Sequence, residues 1–351
     1  MKKTYRVALA SFGMSGRVFH GPLLKAHPGF RVTYVLERSK SLSKKMFPDA
    51  RIVRSWKDLP AAADVDIIVV NTPDHLHYAM IKDALLAGKH VVVEKPFTLH
   101  SAEADELISL AGKKKRILTV YQNRRWDGDF LTVKDILDKK LPGTVVDYEA
   151  HFDRYRPEPD TSSWKEDVQT RTSNLYNLGP HLIDQTLVLF GMPHAVFADM
   201  QVVRRKSRVF DYFNIRLFYD EPLRVTLKSS YMAAQPGPKY LIHGFRGSFL
   251  KYGSDPQEKC LAGGELPGGV DWGKENPAFY GWLILAGEKG KLHQKRYPTL
   301  PGKYQAFYEN LYNALDGKEP LAVKPEEARD VVRIIEAALL SAEEKIVVEF
   351  E

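Results

Sequence analysis

Apolar residues fall in short, unbroken runs over the first third of the chain and in longer, alternating runs after it. The two textures predict two kinds of sheet. Runs at residues 5–10, 31–36, 51–54, 67–72, 90–94 and 116–121 are separated by helix-like stretches such as 17–26. In His90-Val91-Val92-Val93, three β-branched residues in succession suit a strand covered on both faces, the habit of parallel sheets. Six such strands with intervening helices describe a doubly wound α/β sheet. Pro73 ends the fourth run, because it has no N–H to give to a ladder. Asp74 can cap the next helix, which runs to about Leu86 before Gly88.

After Tyr121 the texture changes, which places a domain boundary between residues 122 and 123. Runs at 144–155, 195–203, 209–219, 223–232, 240–245 and 248–252, joined by turns such as Asp220-Glu221-Pro222, predict an α+β domain. Its core would be a mostly antiparallel, open-faced sheet with helices on one face. Helices are predicted at 130–139 and from about 175 to 190, with two more and a strand at 346–350 closing the chain. The Gly/Pro-rich stretch 253–302 stays unassigned. Aromatics at Phe210, Tyr212, Phe218 and Tyr219 suggest that the open face pairs with another copy; the alternative is that they fill the domain's own core.

Between the first run and the first helix lies Ser11-Phe12-Gly13-Met14-Ser15-Gly16. A strand, a glycine turn and a helix start form the arrangement in which backbone N–H groups and the helix dipole hold a pyrophosphate. Phe12, Gly13, Met14, Ser15 and Gly16 are the candidate contacts. Ser11 stands where the Gly-x-Gly-x-x-Gly pattern has its first glycine. The second strand ends in Glu37-Arg38-Ser39-Lys40, where the fingerprint expects a group for the adenosine ribose. Glu37 suits the free 2′-hydroxyl of NAD, whereas Arg38, Ser39 and Lys40 suit the 2′-phosphate of NADP; the alternative is that Arg38 and Lys40 belong to a solvated loop. NADP is the expected cofactor, with NAD possible. The fifth strand ends in Glu94-Lys95-Pro96, and ligands of such sheets bind outside the carboxyl ends of strands. Pro96 keeps Lys95 out of the helical region. A charge so near the interior is costly unless something uses it; the bland alternative is an ordinary surface lysine. Residues 1–122 thus read as a dinucleotide-binding domain.

His75 and His77 sit two apart, so they do not share a helix face and no metal site is expected. His77 reads as lining the cofactor crevice. In the second part, Asn177, His181 and Asp184 fall at i, i+4 and i+7, one face of a helix. A histidine backed by a carboxylate is a plausible proton carrier, although a core histidine is the common alternative. Pro180 fits best in the first helical turn.

Composition narrows the class. The chain has 351 residues, 44% apolar and 27% charged, ordinary globular values with room for two cores. No stretch approaches the roughly 20 apolar residues of a membrane span. One cysteine, Cys260, permits no internal disulfide, so a reducing, cytoplasmic compartment is expected. The net charge of +7 comes from basic residues scattered among acids, which favours a general pull on anionic ligands over nucleic-acid binding.

Together, the glycine turn, Thr72-Pro73 with His77, Glu94-Lys95-Pro96, Asn123-Arg124-Arg125 and the 177–184 segment resemble the glucose-fructose oxidoreductase and inositol dehydrogenase (Gfo/Idh/MocA) family. The strings Asn123-Arg124-Arg125-Trp126-Asp127, His151-Phe152-Asp153-Arg154-Tyr155-Arg156-Pro157 and Tyr252-Gly253-Ser254-Asp255-Pro256-Gln257-Glu258 resemble its branch of NADP-dependent scyllo-inositol dehydrogenases. The resemblance implies a Rossmann domain followed by a substrate-binding and oligomerisation domain over 123–351, and a homodimer or homotetramer through the second sheet. It implies a cyclic polyol or sugar substrate, with Lys95 touching nicotinamide and substrate and His181 passing the proton. Thr72, Pro73, His77, Glu94 and Asn123 would join the cofactor site. Where the family has an acid four residues before that histidine, this chain has Asn177, which can hydrogen-bond a hydroxyl but carries no charge. Trp164, in the loop between Arg156 and Thr172, is a candidate substrate contact. Two other readings stay open: reduction of another carbonyl or diol on the same scaffold, and a non-catalytic NADP-binding sensor.

Overall fold

The structure is a computed structural model that describes residues 3–160, 166, 173–220 and 222–350. It divides into two compact units, each drawn from three stretches of chain: 1–126, 256–273 and 303–329 form the first, and 127–255, 274–302 and 330–351 the second. The first unit therefore takes back two segments that lie beyond the expected boundary at 122/123.

In the first unit, β1 (Tyr5–Leu9), β2 (Phe30–Leu36), β3 (Arg51–Val53), β4 (Ile67–Val70), β5 (His90–Val93) and β6 (Leu118–Val120) make one parallel sheet in the order β3-β2-β1-β4-β5-β6. This is the doubly wound Rossmann order, and its switch point falls between β1 and β4. Val7, Leu9, Ile67 to Val70 and Val91 to Val93 are all fully buried, which is why these runs show no polar alternation. Helices α1 (Gly21–Ala26), α2 (Asp58–Ala61), α3 (His77–Leu86) and α4 (Ser101–Lys114) connect the strands. A π-type turn, Gly16–His20, precedes α1, so the expected helix at 17–26 is two conformations in series. Asp74 does not cap α3. It opens a separate 3-10 turn, Asp74–Leu76, where its Oδ1 accepts from the His75 amide at 2.8 Å.

In the second unit, β7 (Val145–His151), β8 (Ala195–Gln201), β9 (Tyr212–Phe218), β10 (Arg224–Ser230), β11 (Tyr240–Gly244), β12 (Gly247–Lys251), β13 (Gly281–Ala286), β14 (Leu292–Tyr297) and β15 (Val348–Glu349) form a nine-stranded sheet. Every neighbouring pair is antiparallel except β7 with β10. β13 and β14 occupy the stretch left unassigned above. One face carries Tyr148, Phe213, Ile215, Leu217, Val225, Leu227 and Phe249, all buried. It receives α6 (Asn174–Phe190), whose Gln185 accepts from Tyr240 Oη at 2.9 Å. The other face is half-exposed and mixed: Tyr212, Asn214, Arg216 and Phe218 on β9 stand opposite Ser230, Lys228, Thr226 and Arg224 on β10. Tyr212 and Phe218 lie on that open face. Tyr219 instead packs 6.2 Å from Phe190 at the end of α6. Helices α5 (Gly128–Asp138), α7 (Gln257–Ala262), α8 (Gln305–Leu315) and α9 (Pro325–Glu344) complete the chain. No helix among the described residues is long and apolar enough to cross a membrane.

Candidate active site

The glycine turn leaves the carboxyl end of β1 at the switch point. Ser11, in the first glycine's place, hydrogen-bonds within the turn: its Oγ accepts from the Gly13 amide at 3.2 Å. Asn71, just past β4, donates Nδ2 to Ser11 O at 2.9 Å and so closes the turn onto the neighbouring strand. A Cβ on Gly16 would stand 2.5 Å from Ser11 O and 3.0 Å from Asn71 Nδ2; only glycine fits this close approach of helix start to strand end. Gly13 and Met14 are exposed, while Phe12 is buried against Phe47 with ring centroids 6.3 Å apart. A narrow, glycine-lined turn at a helix start fits a dinucleotide pyrophosphate.

Ser15 joins this turn to β5, because its Oγ donates to Glu94 Oε1. His20 Nε2 lies 3.1 Å from the same oxygen, and His20 Nδ1 lies 2.6 Å from Tyr308 Oη on α8. His20 and Tyr308 are buried. Burial is the largest single influence on Glu94 and pushes its carboxyl up. The His20 hydrogen bond and charge, Ser15 and the Lys95 charge outweigh it and hold the carboxyl at about 2. Glu94 is therefore ionised at neutral pH and accepts a proton-bearing Nε2. Burial, helped by the Glu94 charge, pushes Tyr308 well above its usual value, so its hydroxyl stays protonated beside Nδ1. The other carboxylate oxygen accepts from the Lys95 amide at 3.2 Å. Lys95 lies two residues past β5, half-buried, and its bond to Pro96 is cis. The sequence reading had missed both His20 and Tyr308.

At the end of β2, Glu37 is buried, and its carboxylate is turned into its own loop. Oε1 accepts from the Ser43 amide at 2.9 Å and the Ser43 hydroxyl at 2.5 Å, and Oε2 accepts from the Leu42 amide at 2.8 Å. Burial raises this carboxyl, but those bonds and the Arg54 charge bring it below its usual value. Arg38, Ser39 and Lys40 are exposed. Thr72 turns its Oγ1 to Met80 Sδ at 3.4 Å. His77 does not line an open crevice. It is buried, with Nδ1 2.8 Å from Pro96 O and Nε2 3.0 Å from Thr72 O, so its ring braces the end of β4 and Pro73 against the turn after β5. Asn123 is buried in the 3-10 turn Asn123–Trp126, beside Arg124 and Arg125, which pair with Glu258 at 2.5 Å and Glu327 at 2.8 Å.

In the second unit, α6 begins at Asn174, so Asn177, His181 and Asp184 share one helix face. Pro180 lies inside the helix, not in its first turn. Asn177 is half-buried and donates Nδ2 to Tyr231 Oη at 3.2 Å. His181 is buried, its ring 6.3 Å from that of Phe152, and Asp184 is buried one turn on. Trp164 lies outside the described residues. Among the described residues no three His, Cys, Asp or Glu side chains converge on a metal position.

Residues 5–122 match the profile of an oxidoreductase family's NAD-binding Rossmann fold, and residues 134–350 match the same family's C-terminal alpha/beta domain. The chain belongs to the Gfo/Idh/MocA oxidoreductase family. It is 38% identical over 342 residues to the NADP⁺-dependent scyllo-inositol 2-dehydrogenase IolW of Bacillus subtilis, covering 97% of this chain and 95% of that one. It is 36% identical to the oxidoreductase YdgJ of Escherichia coli, covering 98% of each. Among solved structures, an oxidoreductase from Bacteroides fragilis superposes with a TM-score of 0.90 at 45% identity, over 99% of this chain and all of that one. The Bacillus subtilis oxidoreductase YvaA reaches 0.96 at 37%, over 100% of this chain and 99% of that one. As a member of this family the chain is an oxidoreductase that uses a nicotinamide cofactor, and the glycine turn and the Glu94-Lys95-Pro96 end of β5 are features of its NAD-binding domain.

Proposed function

We propose that the protein transfers a hydride between a nicotinamide cofactor, NADP in preference to NAD, and the carbinol or carbonyl carbon of a cyclic polyol or sugar such as scyllo-inositol. The observation that carries this reading is Lys95, a half-buried cation just past the carboxyl end of β5, beside an ionised Glu94 tied to the glycine turn. The name of the Bacillus subtilis relative supports the substrate class and the cofactor. When bound, the nicotinamide supplies the hydride chemistry at its C4. Phe12 to Gly16 would hold the pyrophosphate, Arg38 and Ser39 the 2′-phosphate, and Thr72, Pro73 and Asn123 the nicotinamide half, while Glu94 and His77 fix the ends of β4 and β5. Lys95 stabilises negative charge on the substrate oxygen as it develops, an effect commonly worth a few kcal/mol in a dry site. His181 takes the hydroxyl proton in oxidation, and Asn177 hydrogen-bonds the substrate hydroxyl. Residues 1–122 serve the cofactor, and 123–351 serve the substrate and pairing with a second copy through the open sheet face. A reducing, cytoplasmic setting suits this chemistry and the single cysteine, Cys260.

Lys95→Ala tests the reading. Turnover should fall by about 10²–10³-fold, the cost typical of removing one group that meets developing charge, with cofactor affinity unchanged. Retained turnover would remove Lys95 from the mechanism.

A further inference from the structure

An acid at the end of the second strand of a Rossmann sheet ordinarily takes the ribose hydroxyls of NAD, and Glu37 holds that position. Its geometry is otherwise. Three donors from residues 42 and 43 converge on its two carboxylate oxygens at 2.5 to 2.9 Å. A carboxylate with both oxygens bonded inward and its side chain buried is held within its own loop, and turning it outward would leave those donors unpaired, which is costly.

Arg54, just past β3, grips the same loop from the other side. Its Nη1 donates to Glu37 O at 2.6 Å and Lys40 O at 2.5 Å, and Nη2 donates to Ser41 Oγ at 3.2 Å. Arg38, Ser39 and Lys40 are thereby strung between two carbonyls pinned by one guanidinium, with their side chains exposed. Beyond them the chain is fixed against the glycine turn and the first helix. Phe47 packs on Phe12, and a Cβ on Gly21 would meet Met46 Sδ at 2.8 Å. The loop is thus held next to the turn that would carry the pyrophosphate.

We infer that Glu37 and Arg54 are positioning residues for a 2′-phosphate subsite: Glu37 caps the loop from inside, Arg54 clamps it from outside, and their joint effect is to present Arg38, Ser39 and Lys40 to the phosphate of NADP. Glu37 on this account does not select NAD. The inference rests on the NADP reading above and adds to it the two residues that build the subsite.

The two roles open to Glu37 have opposite signatures. A ribose ligand repels a 2′-phosphate, so removing its charge would strengthen a 2′-phosphorylated nucleotide and weaken an unphosphorylated one. A loop cap supports the phosphate site, so removing its charge weakens the phosphorylated nucleotide and leaves the other alone. The probes are adenosine 2′,5′-bisphosphate and AMP, titrated calorimetrically into the full-length chain and into Arg38→Ala, Glu37→Gln, Arg54→Met and Arg54→Lys. The wild-type chain is expected to bind the bisphosphate about tenfold or more tighter than AMP, the effect of one or more charge-assisted hydrogen bonds, and Arg38→Ala to abolish that preference. Glu37→Gln and Arg54→Met are expected to weaken the bisphosphate by about tenfold while AMP stays within about twofold, and Arg54→Lys to recover part of the loss. No wild-type preference, or one that survives Arg38→Ala, would defeat the NADP reading itself. Loss of preference in Arg38→Ala together with a tighter bisphosphate in Glu37→Gln, with wild-type binding in Glu37→Gln and Arg54→Met, or with equal loss of both ligands not relieved in Arg54→Lys, would overturn only the inference drawn here.

Discussion

Replacing Glu94 by Gln removes a charge that the fold has arranged to keep. Its carboxylate receives Ser15 Oγ, His20 Nε2 and the Lys95 amide; against burial, which raises it, the His20 hydrogen bond and charge, Ser15 and the Lys95 charge hold it at about 2 against a usual 4.5. Each pH unit of such depression is worth about 1.36 kcal/mol, so ionised Glu94 stabilises the folded chain by about 3 kcal/mol at pH 7. Because the folded value is the lower one, this stability is complete above about pH 4.5 and is lost as the pH falls through about 2. At pH 3 only about 1.4 kcal/mol of it should remain. The assay is urea unfolding of wild type and Glu94→Gln at pH 7 and pH 3, comparing the two gaps in stability. A gap of about 3 kcal/mol that roughly halves at pH 3 supports the network. A gap that is equal at the two pH values, or wider at pH 3, would refute it.

Tyr308→Phe removes the hydroxyl that lies 2.6 Å from His20 Nδ1 and should cost about 1–3 kcal/mol by denaturant titration, because a buried ring nitrogen loses its partner; an unchanged midpoint would contradict this. Gly16→Ala drives a methyl to 2.5 Å from Ser11 O. The turn has to open, lowering the melting temperature and weakening cofactor binding together, and an alanine variant with wild-type affinity would contradict the close approach. Asn177→Asp places a charge one helical turn before His181, which should move the acid limb of the pH–rate profile for oxidation upward by roughly half to one unit; an unmoved profile would separate the two residues. If the open sheet face pairs copies of the chain, light scattering at micromolar concentration should give a dimer or larger, and a monomer would refute that proposal.

The first sheet was legible because strands covered on both faces leave unbroken apolar runs. The second was legible where one face is buried and the other is not, as along β9 from Tyr212 to Phe218. β14 was not: it is an edge strand whose residues Leu292 to Arg296 are all exposed, so nothing imposes a period on them. β13 was hidden by its glycine- and proline-rich surroundings. Pro180 looked like a helix start because its missing N–H suits a first turn, yet the structure places it inside α6. In the site, residue types could be read but not their directions. Glu37 was visible as an acid at the right place, while the turn that brings Ser43 back to it was not. His20 and Tyr308 are separated by 288 positions, and a pair so distant leaves no local pattern. His77 was read as lining the crevice, whereas its ring is buried with Nδ1 facing Pro96 O and Nε2 facing Thr72 O.

The most direct measurement mixes the purified protein with scyllo-inositol and either NADP⁺ or NAD⁺ and follows the near-ultraviolet absorbance of the reduced nicotinamide. Turnover that is faster with NADP⁺ at equal concentration is the expected result. Silence with both cofactors, across scyllo-inositol and a panel of cyclic polyols and sugars, would contradict the assigned reaction.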